Sequence, residues 1–239
     1  MQCDKVRLGN FEVLQTTAHA LATHLLDGLE HRQQRILFFA NSNFVVKCRE
    51  LAPQIRDEAV LVANDGVALD IAAWLIHRRR FKENLNGTDF TPYLLRQAAR
   101  PLRVFLLGGK PNVVEQAAQY LRQELAQEVI GVSDGYGGMT DLRLNERIAR
   151  CQPDLLLVAL GNPIQERWVL QHYQALNVPL IIGVGALFDF WAGAKPRAPK
   201  LVQSLRLEWF YRLCLEPRRL AQRYTLDIAR FLLYCYRYR

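Results

Sequence analysis

The chain has 239 residues, of which half are apolar, and it carries a formal net charge of +8. This length and apolar content suit one large α/β core with an appendage. No window approaches about eighteen consecutive apolar residues, and the first residues lack the basic-then-apolar layout of a secretory signal. We therefore expect a cytoplasmic protein.

The cysteines and histidines predict neither disulfides nor a metal site. The five cysteines are widely spaced and form no C-x-x-C pair, and no two histidines four residues apart flank a carboxylate. A D-x-D motif is also absent from the sequence, so a Mg²⁺ or Mn²⁺ ion held by carboxylates has no support. We expect reduced thiols, no metal and no cofactor.

Six apolar runs rich in Val, Ile, Leu and Phe are spaced along the chain. They are continuous rather than alternating, as in strands that are buried on both faces of a sheet. They span residues 35–40, 59–64, 102–109, 128–132, 154–161 and 179–185. Helix-like segments separate them, including 111–127 and 163–175, each of which opens with proline. This alternation predicts an α/β fold with a doubly wound, mostly parallel sheet.

Polar residues and glycines follow most of these strands. In doubly wound sheets, ligands bind beyond the carboxyl ends of the strands, where backbone N–H groups and helix N-termini converge. The residues at these ends are Asn41, Asn43, Asp65, Gly66, Gly108, Gly109, Gly161, Asn162, Pro163, Gln165, Glu166, Gly183, Val184 and Gly185. The sequence therefore places a binding site along this edge.

Asp65 is the first candidate for chemistry. A carboxylate at the end of a buried strand, just ahead of a helix, is partly desolvated and within reach of a substrate, which suits a general base. The same position suits a cap for the helix that begins at Val67. Asp70 and Asp89 are rival carboxylates, and Asp89 is expected to be another N-cap.

Two loops carry residues that suit contact with a ligand. In LLGGKP the glycines allow close backbone approach, and the helix after Pro111 offers its positive end to a phosphate. The G-x-G-x-x-G spacing is missing, so a nucleotide-dependent oxidoreductase is the weaker hypothesis. In GNPIQERW, Gln165 suits a hydrogen bond to a sugar, while Glu166 bonds a hydroxyl or complements the helix dipole. We expect Trp168 in the core.

The positive charge is confined to the C-terminal segment. Residues 195–239 hold eleven of the 31 basic residues and three of the 23 acidic ones, so residues 1–194 are neutral overall. A cationic segment on a neutral body indicates an anionic partner surface. We therefore predict a body at 1–194 and a basic helical appendage for membrane association at 195–239.

Two amphipathic stripes run through this appendage, and they suit a membrane interface. The first contains Leu201, Leu205, Trp209 and Leu213, and the second contains Leu220, Tyr224, Ile228, Phe231 and Cys235. The alternative is that the stripes pack on the body. The two interpretations are compatible if one helix docks on the body while the other contacts lipid. A non-enzymatic binder of nucleic acid is a third class, but aromatics on helical stripes favour lipid.

Eight segments, taken in order and at their separations, resemble the WecG/TagA/CpsF family of bacterial glycosyltransferases over nearly the whole chain. They are ANDGVALDIAA, NGTDF, VFLLGGKP, GYGG, LLLVALGNPIQERW, GVGALFDFWAG, KPRAP and LEWFYRLCLEPRRLAQRY. The resemblance implies a Rossmann-like body and an inverting transfer from a UDP-sugar to a sugar-diphospho-undecaprenol acceptor. It also implies peripheral attachment at the cytoplasmic face of the inner membrane, with no nucleic acid partner. The sequence leaves a homo-oligomer open.

Functional residues are likewise implied by the resemblance, with Asp65 as the general base. The implied substrate-binding residues are Asn41, Gly66, Asn86, Asp89, Gly108, Gly109, Tyr136, Gln165, Glu166, Gly185 and Asp189. The implied lipid-diphosphate-binding residues are Arg212, Arg218, Arg219 and Arg223. Guanidinium groups suit a diphosphate, although each arginine equally suits a solvated helix face, and we expect two of the four to bind.

Three positions depart from the family pattern. Phe39 and Asn84 replace a frequent threonine and arginine, and Asn43 replaces a frequent acidic residue. The amino-acid sequences of the neighbouring segments resemble those of the GumM-like subgroup, which adds the second glucose in xanthan-type exopolysaccharide assembly. We therefore expect UDP-glucose as donor and a β-1,4 link. The alternative is transfer of N-acetylmannosamine or its uronic acid to an N-acetylglucosamine-diphospho-lipid in cell-surface polymer synthesis.

Overall fold

A central parallel sheet organises the protein, as seen in a computed structural model that describes residues 4–199, 202, 208–215 and 226–238. The strands are β1 (Lys5–Leu8), β2 (Phe11–Leu14), β3 (Arg35–Ala40), β4 (Val60–Asn64), β5 (Arg103–Gly108), β6 (Glu128–Ser133), β7 (Leu155–Ala159) and β8 (Leu180–Gly183). The last six form one sheet in the order β4-β3-β8-β7-β5-β6. Every pairing in it is parallel. The predicted fold class and all six predicted strands are confirmed.

Helices connect the strands and cover both faces of the sheet. They are α1 (Ala18–Glu30), α2 (Ser42–Lys47), α3 (Ala52–Ile55), α4 (Val67–His77), α5 (Gly87–Gln97), α6 (Pro111–Glu124), α7 (Leu144–Cys151), α8 (Ile164–Leu176), α9 (Leu187–Trp191), α10 (Glu208–Leu215) and α11 (Leu226–Arg237). Short 3₁₀ turns lie at Arg49–Leu51 and Gly138–Thr140. The predicted helices from 67, 111 and 163 are confirmed to within a few residues.

Two hydrophobic cores lie on opposite faces of the sheet. One core contains buried residues of α2, α4, α7, α8 and α11, and the other contains those of α1, α5, α6 and α9. The helix that follows β3 is α2, which packs on the first face of the sheet. The helix that follows the neighbouring β8 is α9, which packs on the second face. Such divergence opens a crevice beyond the carboxyl ends of the two strands. The topology thus predicts a ligand crevice beside Asn41 and Gly185.

Helix α11 packs on the first face, against α2 and α4. Its residues Phe231 and Cys235 are fully buried in that core. The part of the second stripe that the structure describes therefore docks on the body, which was the alternative to lipid contact. Burial also raises the pKa of the Cys235 thiol to about 12, so this thiol stays protonated at neutral pH.

The N-terminal hairpin was not predicted from the sequence. β1 and β2 pair antiparallel around a turn at Gly9 and Asn10. Val6, Leu8, Phe11 and Val13 are buried against the first face, whereas Lys5, Arg7 and Glu12 between them are exposed. Among the described residues, no helix is both long and apolar enough to cross a bilayer.

Candidate active site

Asp65 lies directly beyond the carboxyl end of β4 and is half-buried. Its backbone N–H donates to the carbonyl oxygen of Ala40 on β3, at 2.7 Å. Its carboxylate oxygen Oδ2 accepts a hydrogen bond from Nδ2 of Asn41 at 3.3 Å. The other end of the Asn41 amide caps α2, because Oδ1 accepts from the N–H of Phe44 at 3.0 Å. The Asp65 carboxylate is therefore held in place without being enclosed.

Asp65 is not the N-cap residue of α4, because Gly66 occupies that position. Gly66 has a φ of 100°, a conformation that side chains rarely adopt. A Cβ atom built there would meet no heavy atom within 4 Å, so the backbone faces open space. A ligand can thus approach the Asp65-Gly66 peptide closely.

Asn84 holds this turn from the opposite side. Its Oδ1 accepts a hydrogen bond from the N–H of Gly66 at 2.6 Å. The next residue adds a second bond, from the N–H of Leu85 to the carbonyl oxygen of Asn64 at 3.0 Å. An arginine at this position, which the family resemblance led us to expect, would have no acceptor atom to make the first bond. The loop before α5 therefore fixes the Asp65-Gly66 turn in this chain.

Gln165 and Glu166 are buried in the first turn of α8 and contact other protein groups. Oε1 of Gln165 accepts from the N–H of Gly185 at 3.1 Å, and its Nε2 donates to Oε1 of Glu166 at 2.7 Å. The same Glu166 oxygen accepts from Nδ2 of Asn162 at 2.5 Å. Asn162 in turn accepts from Nδ2 of Asn43 at 3.5 Å. This network joins the loops that follow β3, β7 and β8.

The Glu166 carboxyl group is fully buried. Burial raises its pKa, and the hydrogen bonds from Gln165 and Asn162 only partly oppose this shift. The carboxyl group also forms a side-chain hydrogen bond with the Cys48 thiol, which opposes the shift as well. The nearby Cys48 thiol is also buried, and burial together with the Glu166 charge raises its pKa. Burial therefore disfavours the charged form of both groups.

Replacement of Glu166 by glutamine is expected to change how stability depends on pH. Because the pKa of Glu166 is raised in the folded protein, folding favours its protonated form. The stability advantage of wild type over Glu166→Gln is therefore largest below the ordinary glutamate pKa of about 4. This advantage declines as pH rises through the folded-state pKa, by up to about 1.4 kcal/mol per pH unit. Urea unfolding of both proteins across this range measures the difference.

Glu115 provides the control, because it is exposed on α6. Glu115→Gln is expected to follow wild type at every pH. A difference between wild type and Glu166→Gln that stays constant with pH would show that Glu166 does not titrate in this range.

The glycines after β5 lie close to neighbouring backbone. Gly108 has a φ of 124°, and a Cβ built on it would lie 2.3 Å from the carbonyl oxygen of Ala159. The N–H of Gly109 donates to that oxygen at 3.1 Å, and its own carbonyl accepts from the N–H of Gly135 at 2.9 Å. These bonds join the loops after β5, β6 and β7, and α6 begins directly behind them.

Tyr136 projects from the loop after β6 and is 64% exposed. Asp134 shapes this loop, because its carboxylate accepts from the N–H of Tyr136 at 2.8 Å and from that of Gly138 at 3.1 Å. The backbone bond from Tyr136 is the main reason that the pKa of Asp134 is lowered. The exposed ring is thus presented on a loop with fixed backbone geometry.

The prediction that Asp89 is an N-cap is wrong. Asn86 caps α5, and its Oδ1 accepts from the N–H of Asp89 at 3.0 Å. The Asp89 carboxylate instead accepts from Nδ2 of Asn86 at 2.8 Å and forms an ion pair with Arg197. Asp189, on α9, pairs with Lys195 at 2.5 Å. The two ion pairs attach the KPRAP segment to the edge of the body.

The predicted arginine site falls largely outside the described residues. Arg212 lies within α10, but its side chain is not among the described ones, and Arg218, Arg219 and Arg223 lie outside the described residues altogether. Over the parts of the chain that are described, no three His, Cys, Asp or Glu side chains are grouped to hold a metal ion. Trp168 is 7% exposed and belongs to the core, as predicted.

Sequence reasoning missed two residues that shape this edge. Asn84 was noted only as a departure from the family pattern, and Arg197 only as part of the KPRAP motif. The bond that Asn84 accepts from Gly66 depends on the loop before α5 folding back onto β4, which no local pattern indicates. The pairing of Arg197 with Asp89 joins residues 108 positions apart.

A parallel sheet with diverging connections, and with glycine-lined loops and a held Asp65 carboxylate at its carboxyl edge, defines a doubly wound α/β protein with a candidate ligand site at that edge. The model of the glycosyl transferase WecG/TagA/CpsF family matches residues 6–239. The chain therefore belongs to this family of glycosyltransferases, as the resemblance implied.

Two relatives have names that describe an activity. The chain is 34% identical over 157 residues to an N-acetylglucosaminyldiphosphoundecaprenol N-acetyl-beta-D-mannosaminyltransferase of Bacillus subtilis strain 168, covering 65% of this chain and 60% of that protein. It is 33% identical over 126 residues to a protein of the same name from Staphylococcus aureus strain NCTC 8325, covering 53% and 50%. The chain thus spans between half and three fifths of these relatives. Their names agree with the N-acetylmannosamine alternative better than with the glucose prediction.

Proposed function

We propose that this chain transfers N-acetylmannosamine from its UDP-sugar to a sugar-diphospho-undecaprenol acceptor, with inversion at the anomeric carbon. Family membership supports the reaction class, and the names of the two relatives support the sugar and the acceptor. The observation that carries the proposal is the Asp65 carboxylate, which Asn41 holds at the open carboxyl end of β4.

The chemistry assigned to Asp65 is general-base catalysis. Its carboxylate takes the proton from the acceptor hydroxyl while that oxygen forms a bond to the anomeric carbon of the donor. The bond from this carbon to the UDP oxygen breaks, and UDP leaves with the electron pair. Attack from the side opposite the leaving group inverts the configuration. Asp65 then releases its proton to solvent.

The donor is assigned to the crevice between the glycine loops. The helix dipole of α6, directly after Gly108 and Gly109, suits the diphosphate. Tyr136 supplies an exposed ring, while Asn86, Asp89, Gly185 and Asp189 line the rest of the edge. Gln165 and Glu166 act on the donor through the loops they hold, because their side chains are buried against Asn162 and Gly185.

The cationic segment is assigned to the acceptor. Arg212, Arg218, Arg219 and Arg223 would bind the lipid diphosphate, within the appendage at 195–239. This places the chain as a peripheral protein at the cytoplasmic face of the membrane that holds the lipid acceptor. The segregation of charge into residues 195–239 supports this assignment.

Glucose transfer from UDP-glucose is the second candidate, and the three family departures favour it. Asn84 bonds Gly66, and Asn43 reaches Asn162. Phe39 packs beneath Gly87, where a Cβ would lie 2.8 Å from its ring, and stacks edge-on against Phe90. Asn84 and Phe39 thus contact the Asp65-Gly66 turn and the start of α5, while Asn43 contacts the loop after β7, and at these places they can change the sugar pocket.

The deciding experiment is a donor panel. UDP-glucose, UDP-N-acetylmannosamine and its uronic acid are each incubated with short-chain glucosyl-diphosphate and N-acetylglucosaminyl-diphosphate lipids, and UDP release and the glycolipid product are measured. We expect release only with UDP-N-acetylmannosamine and the N-acetylglucosaminyl acceptor. Turnover of UDP-glucose alone would establish the second candidate. Failure of every pair would contradict both.

Asn84→Ala is expected to lower kcat about tenfold, because loss of one hydrogen bond of about 1.4 kcal/mol frees the turn that carries Asp65. The KM for the donor should change little. Steady-state kinetics with the best pair from the panel measure both constants. Gln123→Ala, near the C-terminal end of α6, is the control, because Gln123 is exposed and lies at the opposite end of the helix from the glycine loops. Equal kcat values for the two variants would contradict a positioning role for Asn84.

A further inference from the structure

Helix α4 exposes an apolar face, although it starts only two residues after Asp65. Ile71, Trp74 and Leu75 are 46%, 44% and 48% exposed, and their spacing of three and four residues puts them on one side of the helix. The opposite side is buried, with Leu69, Ala72 and Ala73 in the core. A large exposed apolar group of this kind marks an interaction surface.

Cationic residues border this face. Arg78 ends α4, and its guanidinium group lies over the Trp74 ring at 5.2 Å. Arg79 and Arg80 follow and are exposed, with Arg79 paired to Asp4 at 2.8 Å. The half-buried Asp70 is the acidic residue of the helix, and its Oδ1 accepts from the N–H of Phe81 at 3.2 Å. The end of α4 is therefore net positive.

The neighbouring helix α11 shows the same character. It packs on α4, and it exposes Leu233 at 70% and Tyr236 at 58%. Its arginines Arg230 and Arg237 are also exposed. Two helices in contact on one face of the sheet thus present apolar and aromatic residues together with arginines, which is the composition of a helix surface that lies in a membrane interface.

We propose that the exposed face of α4, formed by Ile71, Trp74, Leu75 and Arg78, is a membrane-docking surface that inserts into an anionic bilayer. This inference rests on the proposed function, because an acceptor anchored in lipid must meet Asp65 near the membrane. Trp74 is an interfacial anchor, and Arg78 binds an anionic headgroup beside it. Contact with lipid is therefore not confined to the appendage at 195–239.

The position of α4 explains why this surface serves the reaction. The acceptor hydroxyl is separated from the bilayer by one sugar and one diphosphate, so the general base has to work close to the headgroups. Each residue of α4 advances about 1.5 Å along the helix axis, so Ile71 and Trp74 lie about 6–11 Å along it from Val67. Insertion of these side chains thus fixes the height of Asp65 above the membrane.

The test is binding of the full chain to sedimenting vesicles, with no substrate present. We expect wild type to bind vesicles that contain phosphatidylglycerol more tightly than vesicles of phosphatidylcholine alone. Trp74→Glu combined with Leu75→Glu should weaken binding at least about tenfold. The control combines Leu142→Glu with Gln123→Glu, which makes the same charge change at exposed positions away from α4. It should bind within about twofold of wild type.

A second measurement uses a substitution that conserves the fold. Brominated lipids should quench wild-type tryptophan fluorescence more strongly than that of Trp74→Phe. Equal quenching, or unchanged binding by the double variant, would overturn the proposal. A wild-type dimer that the double variant converts to a monomer, with vesicle binding unchanged, would also overturn it and assign the face to a second copy of the chain.

Activity assays separate this inference from the proposed function. The double variant should keep wild-type turnover with a short-chain acceptor in detergent-free solution and lose at least about tenfold with the undecaprenyl acceptor in vesicles. Equal turnover of the two proteins on the vesicle acceptor would overturn the docking surface. If wild type transferred no sugar to any acceptor, the proposed function would be contradicted instead. The docking surface would then be judged by the vesicle-binding experiment alone.

Discussion

Asp65→Asn is expected to lower kcat for sugar transfer by about 10²–10⁴-fold, the usual cost of removing a general base. The amide has nearly the same shape as the carboxylate, and its oxygen still accepts the hydrogen bond from Asn41. The variant should therefore fold normally and bind the donor as wild type does. Single-turnover kinetics with the pair identified by the donor panel measure the chemical step directly.

Asp70→Asn is the matched control for this experiment. Asp70 lies one turn further along, in the first turn of α4, and its amide counterpart can still accept the bond from Phe81. Its kcat should stay within about threefold of wild type. If Asp70→Asn or Asp89→Asn lost activity while Asp65→Asn kept it, the base would have to be reassigned to that carboxylate.

Gly108→Ala is expected to destabilise the protein by about 3 kcal/mol or more. The added methyl group would lie 2.3 Å from the backbone oxygen of Ala159, and the residue would keep a φ of 124° that side chains rarely adopt. Because the obstacle is backbone of the neighbouring strand β7, no rotamer change can relieve it. The free energy of unfolding in urea measures the loss.

Gly137→Ala provides the comparison in a nearby loop. Gly137 has a φ of −64°, and a Cβ there would meet no heavy atom within 4 Å. Its free energy of unfolding should stay within about 0.5 kcal/mol of wild type. If both variants lost the same free energy of unfolding, close packing of β5 on β7 would not be the reason that residue 108 must be glycine.

The sheet was predictable because its strands have a distinctive local pattern. Continuous apolar runs such as 35–40 and 154–161 can only be accommodated where both faces are covered, and short links between alternating elements require parallel pairing. The position of Asp65 at the end of a strand followed from the same pattern. The hairpin of β1 and β2 also has a sequence signal, because the apolar residues Val6, Leu8, Phe11 and Val13 alternate with other residues on either side of Gly9-Asn10. This pattern is typical of a β-hairpin, although we did not predict one.

The contacts within the site were not predictable from single residues. The sequence suggested that Asp89 caps a helix, but Asn86 has the better spacing, and Asp89 is drawn into an ion pair by a distant arginine. Gln165 and Glu166 looked like sugar ligands, whereas tertiary packing buries them against Asn162 and Gly185. Long-range contacts of this kind depend on the assembled sheet, which local pattern does not encode. The division into 1–194 and 195–239 stays a prediction.

The docking of α11 on α2 has a consequence for biosynthesis. Asn41, which steers the Asp65 carboxylate, begins α2, and α2 is buttressed by Phe231 and Cys235 from nearly two hundred positions downstream. While the ribosome is still adding residues 226–237, the nascent chain lacks this support and its first core is incomplete. The support for Asn41 and Asp65 at the edge of the sheet therefore forms late, after most of the sheet has already emerged.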